Sequence, residues 1–274
     1  MGRTGVRRAL LVVLVVLTGL VELTCCRVGA ADGALSPVAI EEERRDREES
    51  VGAGYDVFAA PPFVVVAQNG MRAEATATIE WARDRLRADF FDKEPGKVLT
   101  IFVFADEASY RSGSSALLDV VPDTPYGFFR PCKRALVVDS AYGWGTLVHE
   151  LVHAYVGADF PSAPTWLNEG LGSLFERPID VEGHIRGATN WRLAELQQAI
   201  RERRSLSFET MAGGSRLAFD GKRGSLYTFR DHPEGDGLPA LRRVTGVADL
   251  DALRRRWETD VLALSYAAPN VARR

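Results

Sequence analysis

Two of the four histidines in this 274-residue chain stand four positions apart with a glutamate beside the first, in His149-Glu150-Leu151-Val152-His153. On an α-helix, positions i and i+4 lie about 40° apart around the axis and one turn apart along it. His149 and His153 are therefore expected to aim their imidazoles at one spot, at a separation that suits a single tetrahedral cation. Glu150 sits about 100° round from His149, within reach of a water on that cation but not easily of the cation itself. Two ligands plus a base is the physical content of the H-E-x-x-H pattern. A chain with this histidine content produces the pattern by accident at a rate of roughly 0.004, so a second signal is needed.

That signal lies downstream, in Thr165-Trp166-Leu167-Asn168-Glu169-Gly170-Leu171-Gly172-Ser173-Leu174-Phe175. Leu167, Leu171, Leu174 and Phe175 recur at helical spacing, with Thr165 as the expected N-cap. Gly157 is expected to end the first helix, and the proline-containing segment 158–164 lets the chain double back. Glu169 would then face the paired imidazoles and supply the third ligand of a two-histidine, one-glutamate centre with an open fourth position.

The HELVH segment, fifteen intervening residues and the glutamate of WLNEGLGSLFE together resemble the gluzincin metallopeptidases, in particular the secreted bacterial domains called peptidase-MA-like. The specific match runs from about Trp144 to Glu176, and a weaker similarity of element order covers roughly 60 to 260. The resemblance implies a Zn2+ ion on His149, His153 and Glu169, with Glu150 as general base and acid in peptide-bond hydrolysis. It implies an α+β, zincin-like fold: a small mixed sheet with an active-site edge strand packed on the HExxH helix, then a mostly helical C-terminal lobe. The strand matching that edge is Ala135 to Asp139, which would hold an extended peptide by its backbone groups. The family also implies an oxyanion donor some way past the glutamate ligand. Tyr227 and His232 are the two candidates, and Tyr227 fits the commoner family arrangement. One departure stands out. Many relatives carry an Asp four residues after the glutamate ligand to hold a ligating His, and this chain has Ser173 there; Glu176 and Asp180 are the acids available instead.

The elements that must position these residues are legible in part. Phe63 to Val66, closed by Asn69-Gly70, predicts a strand and turn. Met71, Ala75, Ile79, Ala82, Leu86 and Phe90 form the stripe of an amphipathic helix. Val98 to Phe104 is apolar on both faces and predicts an interior strand. A short helix is expected over 106–111, then a hairpin of Tyr126–Arg130 and Ala135–Asp139 turning at Pro131-Cys132-Lys133. Further helices are expected over 190–204 and 249–262. Cys132 reads as a small apolar filler, His184 as a surface loop residue, and Trp144 and Trp166 as packing around the helix pair.

Arg3, Arg7 and Arg8 precede an apolar run from Ala9 to Val21, too short to span a membrane and patterned like an export signal. Residues 1–30 are therefore expected to be a signal peptide, or a lipoprotein signal ending near Cys25, which makes the protein secreted, periplasmic or envelope-bound. Residues 31–54, with nine successive charges from Glu41 to Glu49, are expected to form a charged linker, either a solvated helix with i,i+4 pairs or a disordered segment. The zincin-like domain fills 55–274, with a sheet lobe over about 55–157 and a helical lobe over about 158–274. The net charge is −3, and basic residues alternate with acids, so nucleic acid is not an expected partner. A peptide or protein substrate is, and the membrane enters only through the signal or a lipid anchor. Two other functions fit the same residues: a zinc-binding module without turnover that binds peptides as a scaffold, and a zinc hydrolase of a non-peptide substrate.

Overall fold

The computed structural model describes residues 35–212 and 236–266. The export-signal region, Tyr227 and His232 lie outside the described residues. Among the described residues, no helix is long and apolar enough to cross a membrane.

The fold is mixed α+β. Strands β1 (Tyr55–Ala60) and β2 (Phe63–Gln68) form an antiparallel hairpin. Helix α2 (Arg72–Asp89) then crosses to β3 (Leu99–Phe104), which runs parallel to β2. Helix α3 (Glu107–Leu118) leads into the hairpin of β4 (Gly127–Arg130) and β5 (Ala135–Asp139). Because β5 pairs with β3 in parallel, the five-stranded order is β1-β2-β3-β5-β4. All six residues of β3 are buried, as its continuous apolar run predicts for a central strand.

The sheet corrects one expectation. Ala135–Asp139 is not the edge strand; it lies between β3 and β4, and β4 forms the edge. The reason is burial. Leu136 and Val138 point into one core and Ala135 and Val137 into the other, so β5 needs neighbours on both sides, whereas Phe128 to Arg130 are only half-buried.

Helices cover both faces. Helix α2 lays Ala75, Ile79, Ala82 and Leu86 on one face, beside α4 (Gly145–Asp159). The opposite face is covered by α3, through Tyr110 and Leu118. It is also covered by a helix within the expected 31–54 linker, which is docked on the sheet instead of standing free in solvent. Helix α1 (Pro37–Ser50) is capped by Ser36 and docks Ile40 against Val64 and Val98. Its charges are not all solvated. Glu43 accepts from the buried Thr100 hydroxyl at 2.7 Å, pairs with Arg47 one turn on, and approaches Arg134 at 3.6 Å. A single buried isoleucine and one buried acceptor are enough to dock a helix whose surface is otherwise ionic.

Helix α3 is twice the expected length, started by a capping box between Asp106 and Ser109 and ended at Asp119 in the left-handed conformation. Cys132 is exposed in the hairpin turn and fills no core. The C-terminal part holds α5 (Thr165–Leu174), α6 (Leu193–Arg201), α7 (Phe208–Ala212) and helices over Leu238–Thr245 and Leu250–Ala263. It also holds a hairpin, β6 (Pro178–Val181) with β7 (His184–Gly187), so His184 opens a strand and contacts Asp89 of α2 at 2.6 Å. Trp166, Leu167, Leu171, Phe175 and Leu241 join the same core as α2, α4 and the sheet. The two expected lobes thus share one apolar interior.

Burial pushes the Glu43 carboxyl up, but the Thr100 hydroxyl and Arg47 outweigh it and hold it below the ordinary glutamate value near 4.5. A lowered native pKa gives stability that is present above the unfolded value and lost as pH falls through the native one. Glu43→Ala is expected to cost roughly 1–3 kcal/mol in urea unfolding at neutral pH, by stranding the Thr100 hydroxyl. The gap from wild type should narrow as the medium is acidified below pH 4.5; a variant as stable as wild type at pH 7 contradicts the docking.

Candidate metal centre

Helix α4 is apolar almost all round. Leu147, Val148, Leu151, Val152, Ala154, Tyr155 and Val156 are buried, which places this helix in the molecule's interior. A helix in that setting takes its polar residues with it, and His149 and Glu150 are accordingly buried at 7 % and 6 % exposure. Buried polar groups need partners. The two imidazoles meet edge to face with centroids 4.7 Å apart, as i,i+4 spacing dictates.

The chain leaves α4 at Phe160, turns through 161–164 and enters α5 directly after Pro164. Gly157 lies inside α4 and does not end it, and Thr165 is the first helical residue, its hydroxyl making no cap. Trp166, Leu167, Gly170 and Leu171 bury one face of α5 and so turn the next positions toward α4. Glu169 Oε2 consequently sits 3.7 Å from His149 Nε2 and 3.6 Å from His153 Nε2. The three ligand atoms all lie within 4.8 Å of one another, and among the described residues this is the one such group.

Donors on a small tetrahedral cation, with bonds of about 2.0–2.2 Å, lie roughly 3.3–3.6 Å apart. The two separations from Glu169 match that spacing to within a few tenths of an ångström. The remaining imidazole nitrogens are also held. His153 Nδ1 lies 2.9 Å from Asn168 Oδ1, which as an acceptor keeps the proton on Nδ1 and the Nε2 lone pair toward Glu169. His149 Nδ1 lies 3.2 Å from Glu176 Oε1, a charge contact whose alignment falls short of a regular hydrogen bond. Arg192 grips both oxygens of Glu176 at 2.9 and 2.7 Å, a bidentate pair. These residues can hold a divalent cation.

Charge balance is tight. Burial alone would push the His149 imidazole down, but the Glu169 and Glu176 carboxylates reverse this and hold it up to about 9. Burial pushes Glu176 up in turn, while His149 and Arg192 outweigh it and keep it well below the carboxylate range. Glu150 is not one of the three converging donors. Its carboxylate adds to the shift of His149, and it adds to burial in pushing the Tyr110 phenol up from the other side of β4 and β5.

Two glycines make the close packing feasible. A Cβ on Gly172 would lie 2.9–3.0 Å from three atoms of the His149 ring. One on Gly145 would lie 1.7 Å from the Glu176 carbonyl oxygen, so α4 could not begin beside the segment that carries Glu176.

The sequence expectation of His149, His153 and Glu169 together therefore matches the geometry. Of the two acids offered in place of the absent Asp, Glu176 reaches His149, while Asp180 is engaged by Arg85 at 2.7 Å and the Trp81 indole. Trp144 and Trp166 pack as expected, their indoles donating to Glu74 and to the Asp236 carbonyl. Asn168 and Arg192 went unread. The signal for Asn168 was its place directly before the glutamate ligand; Arg192, sixteen residues past its partner, carries no local signal.

Removing the carboxylate behind His149 is expected to weaken metal binding by roughly 10–100-fold, the usual cost of losing such a support. Chelator-competition titration of Glu176→Ala against wild type measures it, and equal affinities contradict the support. No family model matches this chain, and no curated protein is found similar to it.

Proposed function

We propose that the chain is a zinc-dependent metallopeptidase of the gluzincin type, with a zincin-like fold. The observation that carries this reading is the orientation of the two imidazoles. Each keeps its Nδ1 toward a supporting side chain and its Nε2 toward the same Glu169 oxygen. An ion pair between one imidazolium and one carboxylate requires only one such histidine; two sharing a single oxygen fit a common cation.

Zinc is the ion this donor set suits, since two imidazoles and a carboxylate with a free fourth position supply a polarised carbonyl and a water of lowered pKa. Glu169 contributes the negative charge that offsets part of the ion's own. Glu150, buried in the next position of α4, is the group that takes a proton from the attacking water at its carboxylate and returns it to the leaving nitrogen. Glu176 and Asn168 fix which nitrogen of each imidazole faces the centre. The open edge of β4, in place of β5, is the strand that an extended peptide would extend. Tyr227 and His232 stay as the two proposed oxyanion donors.

The scaffold alternative is favoured by Ser173 standing where an Asp is usual and by a C-terminal lobe shorter than the family's. Glu176 with its Arg192 clamp answers the first objection, because a carboxylate does reach His149 from a different position. A buried glutamate beside the ligands is a cost that a purely structural ion gives no reason to carry.

Glu150→Gln keeps size and removes the base. It is expected to retain bound metal while peptide cleavage falls by roughly 10²–10⁴-fold, assayed on a degenerate peptide library with metal content measured alongside. Equal cleavage by both proteins would remove Glu150 from the chemistry, and metal binding with no cleavage by wild type would favour the scaffold.

A further inference from the structure

Among the described residues three aromatic side chains are exposed: Tyr126 at 36 %, Tyr142 at 50 % and Trp191 at 50 %. They come from three separate segments, yet they form one cluster. The Tyr126 and Tyr142 rings meet edge-on with centroids 4.8 Å apart, and Tyr126 and Trp191 lie 6.2 Å apart at 34°. Single exposed apolar residues are ordinary, but a contiguous aromatic surface marks an interaction site.

Each ring is tied through the chain to an element that builds the metal centre. Tyr126 directly precedes β4, and its carbonyl accepts from the Asp139 amide at the end of β5. Tyr142 closes the turn Ser140–Tyr142 that leads into α4. Trp191 precedes Arg192, whose guanidinium lies 4.3 Å from the indole centroid and clamps Glu176 behind His149.

We infer that Tyr126, Tyr142 and Trp191 form a subsite for a neutral aromatic side chain of a peptide aligned on the β4 edge. This rests on the peptidase reading above. Charge selects the occupant. A basic side chain would enter beside the Arg192 guanidinium already seated on Trp191, and an acidic one would face the negative ring faces while Arg192 is committed to Glu176. A phenyl or indole ring meets neither penalty and gains offset or edge contacts. The adjacent β4 edge supplies the direction, since an added strand points alternate side chains toward the same flank.

The test uses the metal-loaded full chain and matched peptides with Phe or Ala at one position, chosen from cleavage of a degenerate library. An aromatic preference at a single position is expected. The Phe-to-Ala ratio of kcat/KM should fall about tenfold in Tyr142→Ala and return in Tyr142→Phe, as loss of one ring contact predicts. Cleavage with a flat profile, or a ratio unmoved in Tyr142→Ala, overturns the subsite and leaves the peptidase reading intact. If no peptide is cut, that reading fails, and the subsite is judged by calorimetric binding of an alanine-based peptide, with and without a central Phe, to Glu150→Gln protein. Tighter binding of the Phe peptide, lost in Tyr142→Ala, supports it; equal binding overturns it.

Discussion

Two imidazoles and two carboxylates held within a few ångströms in a mostly buried junction are costly unless their charges and lone pairs find partners. That requirement organises the structure around α4 and α5. Glu169 stands within 3.7 Å of both Nε2 atoms, Asn168 bonds one Nδ1, Glu176 lies in charge contact with the other, and Arg192 clamps Glu176. Asn168 and Glu169 come from α5, Glu176 from the segment after it and Arg192 from beyond the β6–β7 hairpin, so the arrangement holds only while the surrounding packing keeps those points together.

The packing does so through one shared interior. Helix α4 runs between the sheet and the C-terminal helices, contributing Leu147, Leu151, Val152 and Tyr155 to a core that also takes in Ile101, Val103, Phe175 and Leu241. Most of its circumference is buried, which keeps the histidines in the interior. The close seating of α5 and of the Glu176 segment depends on Gly172 and Gly145, where backbone and ring approach nearer than any side chain allows. Rigidity of this kind is what a site needs when donor atoms must stay within a fraction of an ångström of working positions.

Much of this was legible in the sequence because it follows from periodicity. The stripe of Ala75, Ile79, Ala82 and Leu86 gave α2, and the unbroken run from Leu99 to Phe104 gave the central strand. His149 and His153 needed only helical spacing, and Glu169 only a second helix doubling back. What stayed illegible depends on distant pairs. The edge placement of Ala135–Asp139 followed from the family resemblance, although the apolar residues on both faces of Ala135–Val138 argue for an interior strand. The nine charges of 41–49 hid the docking of α1, because its anchors, Ile40 and Glu43, find their partners on β2 and β3. Arg192 and the aromatic trio are likewise products of tertiary folding.

The most direct test of the central claim is X-ray absorption at the metal edge of protein loaded with one equivalent of zinc. Scattering from two imidazole rings together with oxygen donors is expected, with the oxygen shell altered in Glu169→Gln. A shell containing fewer than two imidazoles, or one indifferent to Glu169→Gln, would show that the ion is bound elsewhere and that α4 and α5 do not build its site.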